Sequence, residues 1–430
     1  MKKLSVIRKL KNKKFTVGIL GLGYVGLPLL KLISDKKIKS FGFDLDSIKI
    51  NCLKKNISYI SDLQNKELKN INKKFLFNRN GFQNIKFVDF IIICLPTPLK
   101  KNLSPDMSKI KDCFQSLKRY LRKDQTIILE STVYPGATED IFLNFIKKKF
   151  NIGNNFYLGY SPERINPGIK GKIKYADTTK VVSGYTDNCK IIIKNFYQLF
   201  FKKVHLSNSI QIAEISKLYE NTFRAVNIGL VNQIKMITDK MKINIHEVIK
   251  ASATKPFGFT RFNPGPGMGG HCIPIDPIFL SWAAKKHKTS AKFIDLARKV
   301  NFDVSKWIIK KIFSHLKKTK SKKILIVGIA YKQNVNDDRE SPSKLIFDNL
   351  IKKKIKVDYF DPLIKKTIIR DKNYISLKKL TKNKIKFYDV IIIGTDHNIV
   401  NFKMILKNSK FIFDTRGVYS NYNLKKIVHC

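Results

Sequence analysis

The sequence predicts an α/β protein: two Rossmann-like doubly wound domains joined by a long central helical segment. Three observations carry this reading. Short apolar runs alternate with helical stretches between residues 15 and 200, strand patterns vanish from Ser209 to about Val300, and the alternation returns from Lys322. At 430 residues with 43% hydrophobic content, the chain exceeds one comfortable core and is expected to be globular throughout. The expected division is a basic N-terminal extension (1–14), a first α/β domain (15–205), a central helical segment (206–305) and a second α/β domain (320–430).

The first element is the apolar strand Phe15–Leu20, which runs into Gly21-Leu-Gly23-Tyr24-Val25-Gly26 and then an apolar-periodic helix. The next strand, Ser40–Asp44, ends in a carboxylate eighteen residues after Gly26. A dinucleotide needs this layout: Gly21 for the tight turn, Gly23 for approach of the pyrophosphate and Gly26 for packing helix on strand. The helix N-terminus then attracts phosphate, and Asp44 can bond the ribose hydroxyls. No arginine directly follows Asp44, which favours NAD over NADP. Tyr24, Val25 and Lys49 complete the expected cofactor-binding stretch. Further strands are expected at Phe87–Leu95, Thr126–Ser131, Phe156–Ser161 and Thr179–Ser183, with Asn65 to Lys86 polar and loop-rich. Helical apolar spacing runs for twenty residues or more from Glu214, placing Lys217 and Asn221 on one face. The segment Gly265-Pro-Gly-Met-Gly-Gly-His-Cys272-Ile-Pro-Ile-Asp276-Pro277 sets a cysteine on a glycine-rich bend with a carboxylate four residues later. A thiol there can be reached by substrate; by itself the segment is equally an incidental turn. The last domain carries strands at Lys323–Ile329, Lys356–Phe360, Asp389–Gly394 and Lys410–Asp414, without a second G-x-G-x-x-G.

The formal charge of +52 raises a nucleic-acid reading, but only 11 of the 84 basic residues are arginine and the lysines are spread over nearly every segment. A basic stripe built for nucleic acid would concentrate charge and interleave aromatics, so no nucleic-acid partner is expected. The scarce arginines Arg164, Arg224, Arg261, Arg339 and Arg416 sit inside motif-like segments, where a bidentate donor is hard to replace by lysine. No apolar run reaches membrane length, and the basic start leads into a glycine-rich turn, so no membrane span and a cytoplasmic location are expected. The six cysteines show no metal-ligand spacing, and no metal is expected.

Taken in order, Gly21-x-Gly-Tyr-Val-Gly26, Leu95-Pro-Thr97-Pro98, Glu130-Ser-Thr132-Val, Ser161-Pro-Glu163-Arg164, Ala213-Glu-Ile-Ser-Lys217-x-x-x-Asn221, the Gly-Gly-His-Cys272 loop and Ala330-Tyr-Lys332…Asp337-Asp-Arg339-Glu-Ser-Pro342 resemble the UDP-glucose/GDP-mannose 6-dehydrogenase family. The resemblance spans about residues 15 to 420. It implies oxidation of a sugar-nucleotide C6 alcohol to a carboxylate with two NAD⁺, Cys272 carrying the intermediate as thiohemiacetal and thioester. It further implies that Lys217 and Asn221 hold the C6 oxygen and an ordered water, that Asp276 assists proton transfer, and that Glu163 activates the hydrolytic water. In the UDP-glucose branch a second glutamate stands four residues after Glu163; here that position is Pro167. Thr132 matches a hydroxyl near the nicotinamide, Thr97 a cofactor-lining turn, and Arg339 a residue reaching the cofactor. Arg164, Arg261, Phe262, Gly269, Lys332 and Arg416 match substrate-binding positions, and a homodimer or higher homo-oligomer is implied. Lys255-Pro-Phe-Gly-Phe259 and the cysteine loop resemble the UDP-N-acetylglucosamine branch more than the UDP-glucose branch. The N-acetylgalactosamine, N-acetylmannosamine and glucose substrates stay open, as does a non-catalytic nucleotide or nucleic-acid binder.

Overall fold

The computed structural model describes residues 2–60, 63–164, 175–319 and 323–430. The chain forms two compact units: Met1–Glu220 with Ile278–Thr289, and Asn221–Pro277 with Ser290–Cys430.

The first unit is built on eight strands: β1 (Thr16–Leu20), β2 (Lys39–Phe43), β3 (Leu76–Phe77), β4 (Phe90–Ile93), β5 (Gln125–Leu129), β6 (Phe156–Tyr160), β7 (Lys180–Gly184) and β8 (Val204–Leu206). Their order is β3-β2-β1-β4-β5-β6-β7-β8, so the chain reverses direction across the sheet between β1 and β4. That is the dinucleotide-binding order, and its crevice opens beyond the carboxyl ends of those two strands. Strands β4 to β7 are buried along their whole length, and β4 accordingly reads as a continuous apolar run rather than an alternating one. One pair departs from the expected parallel arrangement: β7 runs antiparallel to β6. The basic N-terminal extension is the helix Lys2–Lys11 in the described residues, and it packs on the domain. Val6 and Leu10, one turn apart, join Phe15 and Ile33 in the core, and Lys9 pairs with Asp89 at 2.9 Å.

The second unit holds a five-stranded parallel sheet made of β9 (Lys323–Val327), β10 (Lys356–Phe360), β13 (Val390–Ile393), β14 (Ile412–Asp414) and β15 (Ile427–His429), in the order β10-β9-β13-β14-β15. Between β10 and β13 lies a small antiparallel hairpin, β11 (Lys366–Ile369) and β12 (Lys372–Ile375). The helix Lys292–Thr319 sends Val304, Ile308, Ile312 and Leu316 into the core against β9 and β13, an i, i+4 stripe.

The central helix, Ile210–Lys240, is 31 residues long. Its one glycine, Gly229, is there for packing: a Cβ would lie 3.0 Å from Asn301 Nδ2 and 3.1 Å from the Ala297 carbonyl. The elements not foreseen are β3, β8, β15 and the β11–β12 hairpin, all too short for a period to show. Asn65 to Lys86 is not plain loop; three short 3₁₀ segments flank β3 there. Among the described residues, no helix is long and apolar enough to cross a membrane, and no group of three or more His, Cys, Asp or Glu is placed to hold a metal.

Candidate functional site

The first unit offers a dinucleotide cradle. Gly21 takes φ +92°, and a Cβ there would stand 2.6 Å from the Cys94 carbonyl oxygen. A Cβ on Gly26 would overlap the Gly21 carbonyl at 1.9 Å, so the helix Gly26–Asp35 packs directly on the turn. At Gly23, by contrast, a Cβ meets nothing within 4 Å. The space is open where a pyrophosphate would approach, and the helix starts at Val25 without a side-chain cap. Asp44 follows β2 and accepts from the Leu22 N–H at 2.8 Å and the Asp46 N–H at 3.0 Å. Lys49 comes to 3.4 Å of the same carboxylate, so the two expected cofactor residues meet each other. Tyr59, not singled out in the sequence, donates its hydroxyl to the Leu22 carbonyl at 2.5 Å and braces the loop. Tyr24 and Val25 are half-buried within it. These residues fit NAD.

At the carboxyl ends of β4 and β5, buried Thr97 donates its hydroxyl to the Thr132 carbonyl at 2.7 Å, linking two expected residues from the segments after the two strands. Next to them is a cluster that sequence reasoning missed. Lys180 is 3% exposed and lies 2.9 Å from Glu130 and 3.7 Å from Glu163. Tyr197 donates to Glu130, Tyr175 donates to Glu163 at 2.8 Å, and the Arg164 N–H donates to Glu163 at 2.6 Å. Burial works against the Lys180 ammonium, but Glu130 and Glu163 outweigh it and hold its pKa above the ordinary range. Burial likewise pushes the Glu130 carboxyl up, with Lys180 opposing. In a chain with 73 lysines nothing marks Lys180 in advance. The Arg164 guanidinium pairs with Glu220 and bonds the Thr179 carbonyl. Pro167 lies outside the described residues.

Lys217 and Asn221 are both buried, one turn apart on the central helix as expected. Glu214, a turn earlier, is buried and accepts from the Gly136 N–H (2.5 Å), the Thr138 N–H (3.0 Å) and the Thr138 hydroxyl (2.6 Å). It caps the helix Ala137–Lys149 from outside, and burial raises its pKa to about 7.

In the second unit, Cys272 is exposed at the head of a turn whose Ile275 and Asp276 N–H groups donate to the Cys272 carbonyl at 3.1 and 2.9 Å. Asp276, almost fully buried, accepts from Asn221 Nδ2 at 2.5 Å. A helix residue and the carboxylate four positions past the thiol are thus brought together across 55 residues of chain. Gly267 and Gly270 take positive φ. The close approach at Gly269, however, is to the protein itself: a Cβ there would sit 2.7 Å from Tyr331 Cβ and 2.8 Å from the Glu340 carbonyl. Asn232 accepts from the Gly265 N–H at 3.0 Å and in turn donates to Asn301, anchoring the loop to two helices. Such anchors read in sequence as ordinary helical asparagines.

Lys332 stands half-buried just after β9. Arg416, following β14, donates to the Gly394 carbonyl at 2.8 Å and the Tyr331 carbonyl at 3.2 Å, behind β13 and β9, where this sheet order reverses. Arg339 is turned onto Asp337, 2.6 Å away. Arg261 is exposed beside Asn263, and Phe262 packs edge-on to Phe223 at 6.0 Å.

These features define a dinucleotide-binding protein with a second Rossmann-like domain that carries the cysteine loop in its own unit. The chain belongs to the UDP-glucose/GDP-mannose dehydrogenase family: residues 15–201 match its NAD binding domain, 211–303 its central domain and 325–421 its UDP binding domain. It is 33% identical to a UDP-N-acetyl-D-glucosamine 6-dehydrogenase of Pseudomonas aeruginosa, over 82% of this chain and 84% of that one. It is 32% identical to a UDP-N-acetyl-D-mannosamine dehydrogenase of Methanococcus vannielii, over 97% and 96%. Among solved structures, the UDP-D-ManNAc dehydrogenase from Pyrococcus horikoshii superposes with a TM-score of 0.81 at 27% identity, over 93% of this chain and 95% of that one. The protein is therefore an NAD-dependent nucleotide-sugar dehydrogenase, and its UDP binding domain supports a UDP-sugar as substrate.

Proposed function

We propose that the chain oxidises the C6 alcohol of UDP-N-acetylglucosamine to the uronic acid in two steps, with Cys272 holding the sugar between them, as a precursor of surface polysaccharide. The observation that carries this reading is the exposed Cys272 on a turn whose Asp276 is hydrogen-bonded to Asn221. Bound NAD⁺ supplies a hydride acceptor, once for the alcohol and, in a second molecule, once for the thiohemiacetal. The Cys272 sulfur adds to the aldehyde carbon, which keeps the aldehyde from escaping. Lys217 and Asn221 donate to the oxygen that becomes anionic in that addition. For hydrolysis, water attacks the thioester carbon as Glu163 takes its proton; the C–S bond then breaks and the thiolate leaves. Asp276 orients Asn221 and shuttles the proton of the ordered water. Thr97 and Thr132 line the nicotinamide end of the cofactor site, with Arg339 assisting, and Lys332, Arg416, Arg164, Arg261, Phe262 and Gly269 serve the UDP-sugar.

UDP-N-acetylmannosamine is the second reading, favoured by the relatives from Methanococcus and Pyrococcus. NADH production against a panel of UDP-sugars and GDP-mannose, with NADH counted per sugar, separates the readings; two per sugar is expected, and one contradicts the Cys272 route. We further infer a homodimer in the cytoplasm, where NAD and nucleotide sugars are made. Exposed Phe223, Leu230 and Ile237 on the central helix and Phe293 and Leu296 on the helix Lys292–Thr319 support self-association. A monomeric mass by light scattering at micromolar concentration overturns that.

A further inference from the structure

We propose that buried Lys180 is the positioning residue that keeps Glu163 ionised, and that Glu130 sets how strongly it does so. The inference rests on Glu163 being the hydrolytic base. It starts from the topology. The carboxyl ends of β5 and β6 lie at the cofactor edge of the first sheet and carry Glu130 and Glu163. A parallel β7 would start at the opposite edge. Because β7 instead runs antiparallel to β6, its first residue, Lys180, comes to the cofactor edge. This antiparallel pairing therefore delivers the ammonium between the two carboxylates.

Besides the two carboxylates, Lys180 Nζ donates to the Pro162 carbonyl at 3.4 Å. Lys180 lies over the rings of Tyr197 and Phe201, with centroids 5.2 and 5.5 Å from Nζ. Among the described residues, the titratable and charged groups around the cluster are Glu130 after β5, Glu163 after β6, Tyr175 on its 3₁₀ turn, Tyr197 on the helix Asp187–Gln198, Cys94 after β4, and Arg164 with its partner Glu220. Burial holds Cys94, Tyr175 and Tyr197 in their neutral forms, far above their ordinary ranges. Among the described residues, the two glutamates and Lys180 are then the interior ionisable groups of the cluster. Two carboxylates sharing a dry site cannot both stay ionised, and a like-charged neighbour shifts a pKa by about 1–3 units. Lys180 between them offsets that repulsion. Remove it, and the compensating charge beside Glu163 is gone; a protonated Glu163 takes no proton from water. Remove only the charge of Glu130, and Lys180 acts on Glu163 alone.

The test is the pH dependence of kcat, with NADH measured on the UDP-N-acetylhexosamine the wild type turns over fastest. Acid-quenched enzyme is weighed by mass spectrometry for the sugar adduct on Cys272. In Lys180→Met, the acid limb moves at least one unit to higher pH and adduct accumulates at pH 7. Lys180→Arg restores the wild-type profile, and Glu130→Gln moves the limb to lower pH. Should Lys180→Met fail to fold, Lys180→Arg and Glu130→Gln still decide the matter: a Glu130→Gln limb that moves up, or does not move, overturns the proposal. So does a Lys180→Met profile that coincides with wild type or is scaled down equally at every pH. Glu163→Gln separates the two levels. If it turns over normally, the base assignment itself is wrong; if it is dead with adduct trapped while the Lys180 profile stays unmoved, only the role of Lys180 falls.

Discussion

Replacing Glu214 by glutamine should change how the first unit's stability depends on pH. Glu214 is fully buried and joins the start of the central helix to the N-terminus of the helix Ala137–Lys149 through three hydrogen bonds. Burial raises its pKa from an ordinary 4.5 to about 7, against the pull of the three donors. An acid whose folded pKa lies above its unfolded one contributes most below the unfolded value, and that contribution is lost as pH rises through the folded one. The gap corresponds to about 3 kcal/mol, lost mainly between pH 5 and 7. Glutamine keeps one acceptor and cannot ionise. The stability of wild type minus that of Glu214→Gln should therefore fall by about 3 kcal/mol between pH 4.5 and 8. Urea unfolding followed by Trp282 fluorescence, in a Trp307→Phe background, reads this. Trp282 lies in the first unit with its ring 4.7 Å from Tyr134. A difference that stays flat over that range, or grows with pH, refutes the reasoning.

Further outcomes follow from other sites. Cys272→Ser should abolish uronate formation by about 10³-fold or more, since an alkoxide is a poor substitute for a thiolate here; unchanged acid production, by product analysis, would sink the covalent route. Gly26→Ala places a methyl 1.9 Å from the Gly21 carbonyl, and should weaken NAD binding at least about tenfold and cost about 1–3 kcal/mol by overpacking, read by cofactor titration and melting. Lys235 is buried, and burial lowers its pKa to about 8. A base depressed in this way loses its stabilising contribution as pH falls through the folded value, so Lys235→Met should be more stable by about 2–3 kcal/mol at pH 7, with the gap closing above pH 10. A constant gap in urea midpoints across pH 7–10.5 counts against it.

Much of the fold was legible because its cause is local. The run Val17–Leu20, the spacing of Gly21, Gly23 and Gly26, and the carboxylate at Asp44 identify a strand, a turn and a helix. Each residue's role there depends on neighbours a few positions away, and the structure finds the two glycines and the open space where that reasoning puts them. The short edge strands were illegible for the opposite reason. Two residues at Leu76–Phe77 carry no period, and pair only because β2 is already in place.

The site divides along the same line. By itself the sequence determined the cofactor class, the exposed turn with its thiol, and the helical face shared by Lys217 and Asn221, because glycine spacing and helical repeat are short-range. Only the tertiary structure decided that Asn221 bonds Asp276, that Arg416 bonds the carbonyls behind β9 and β13, that Arg164 faces Glu220, and that one lysine among 73 lies buried between Glu130 and Glu163. Those partners are separated by 17 to 85 residues of chain. Strand order and the single antiparallel turn of β7 bring them together, and a buried charge takes its meaning from what surrounds it rather than from its residue type.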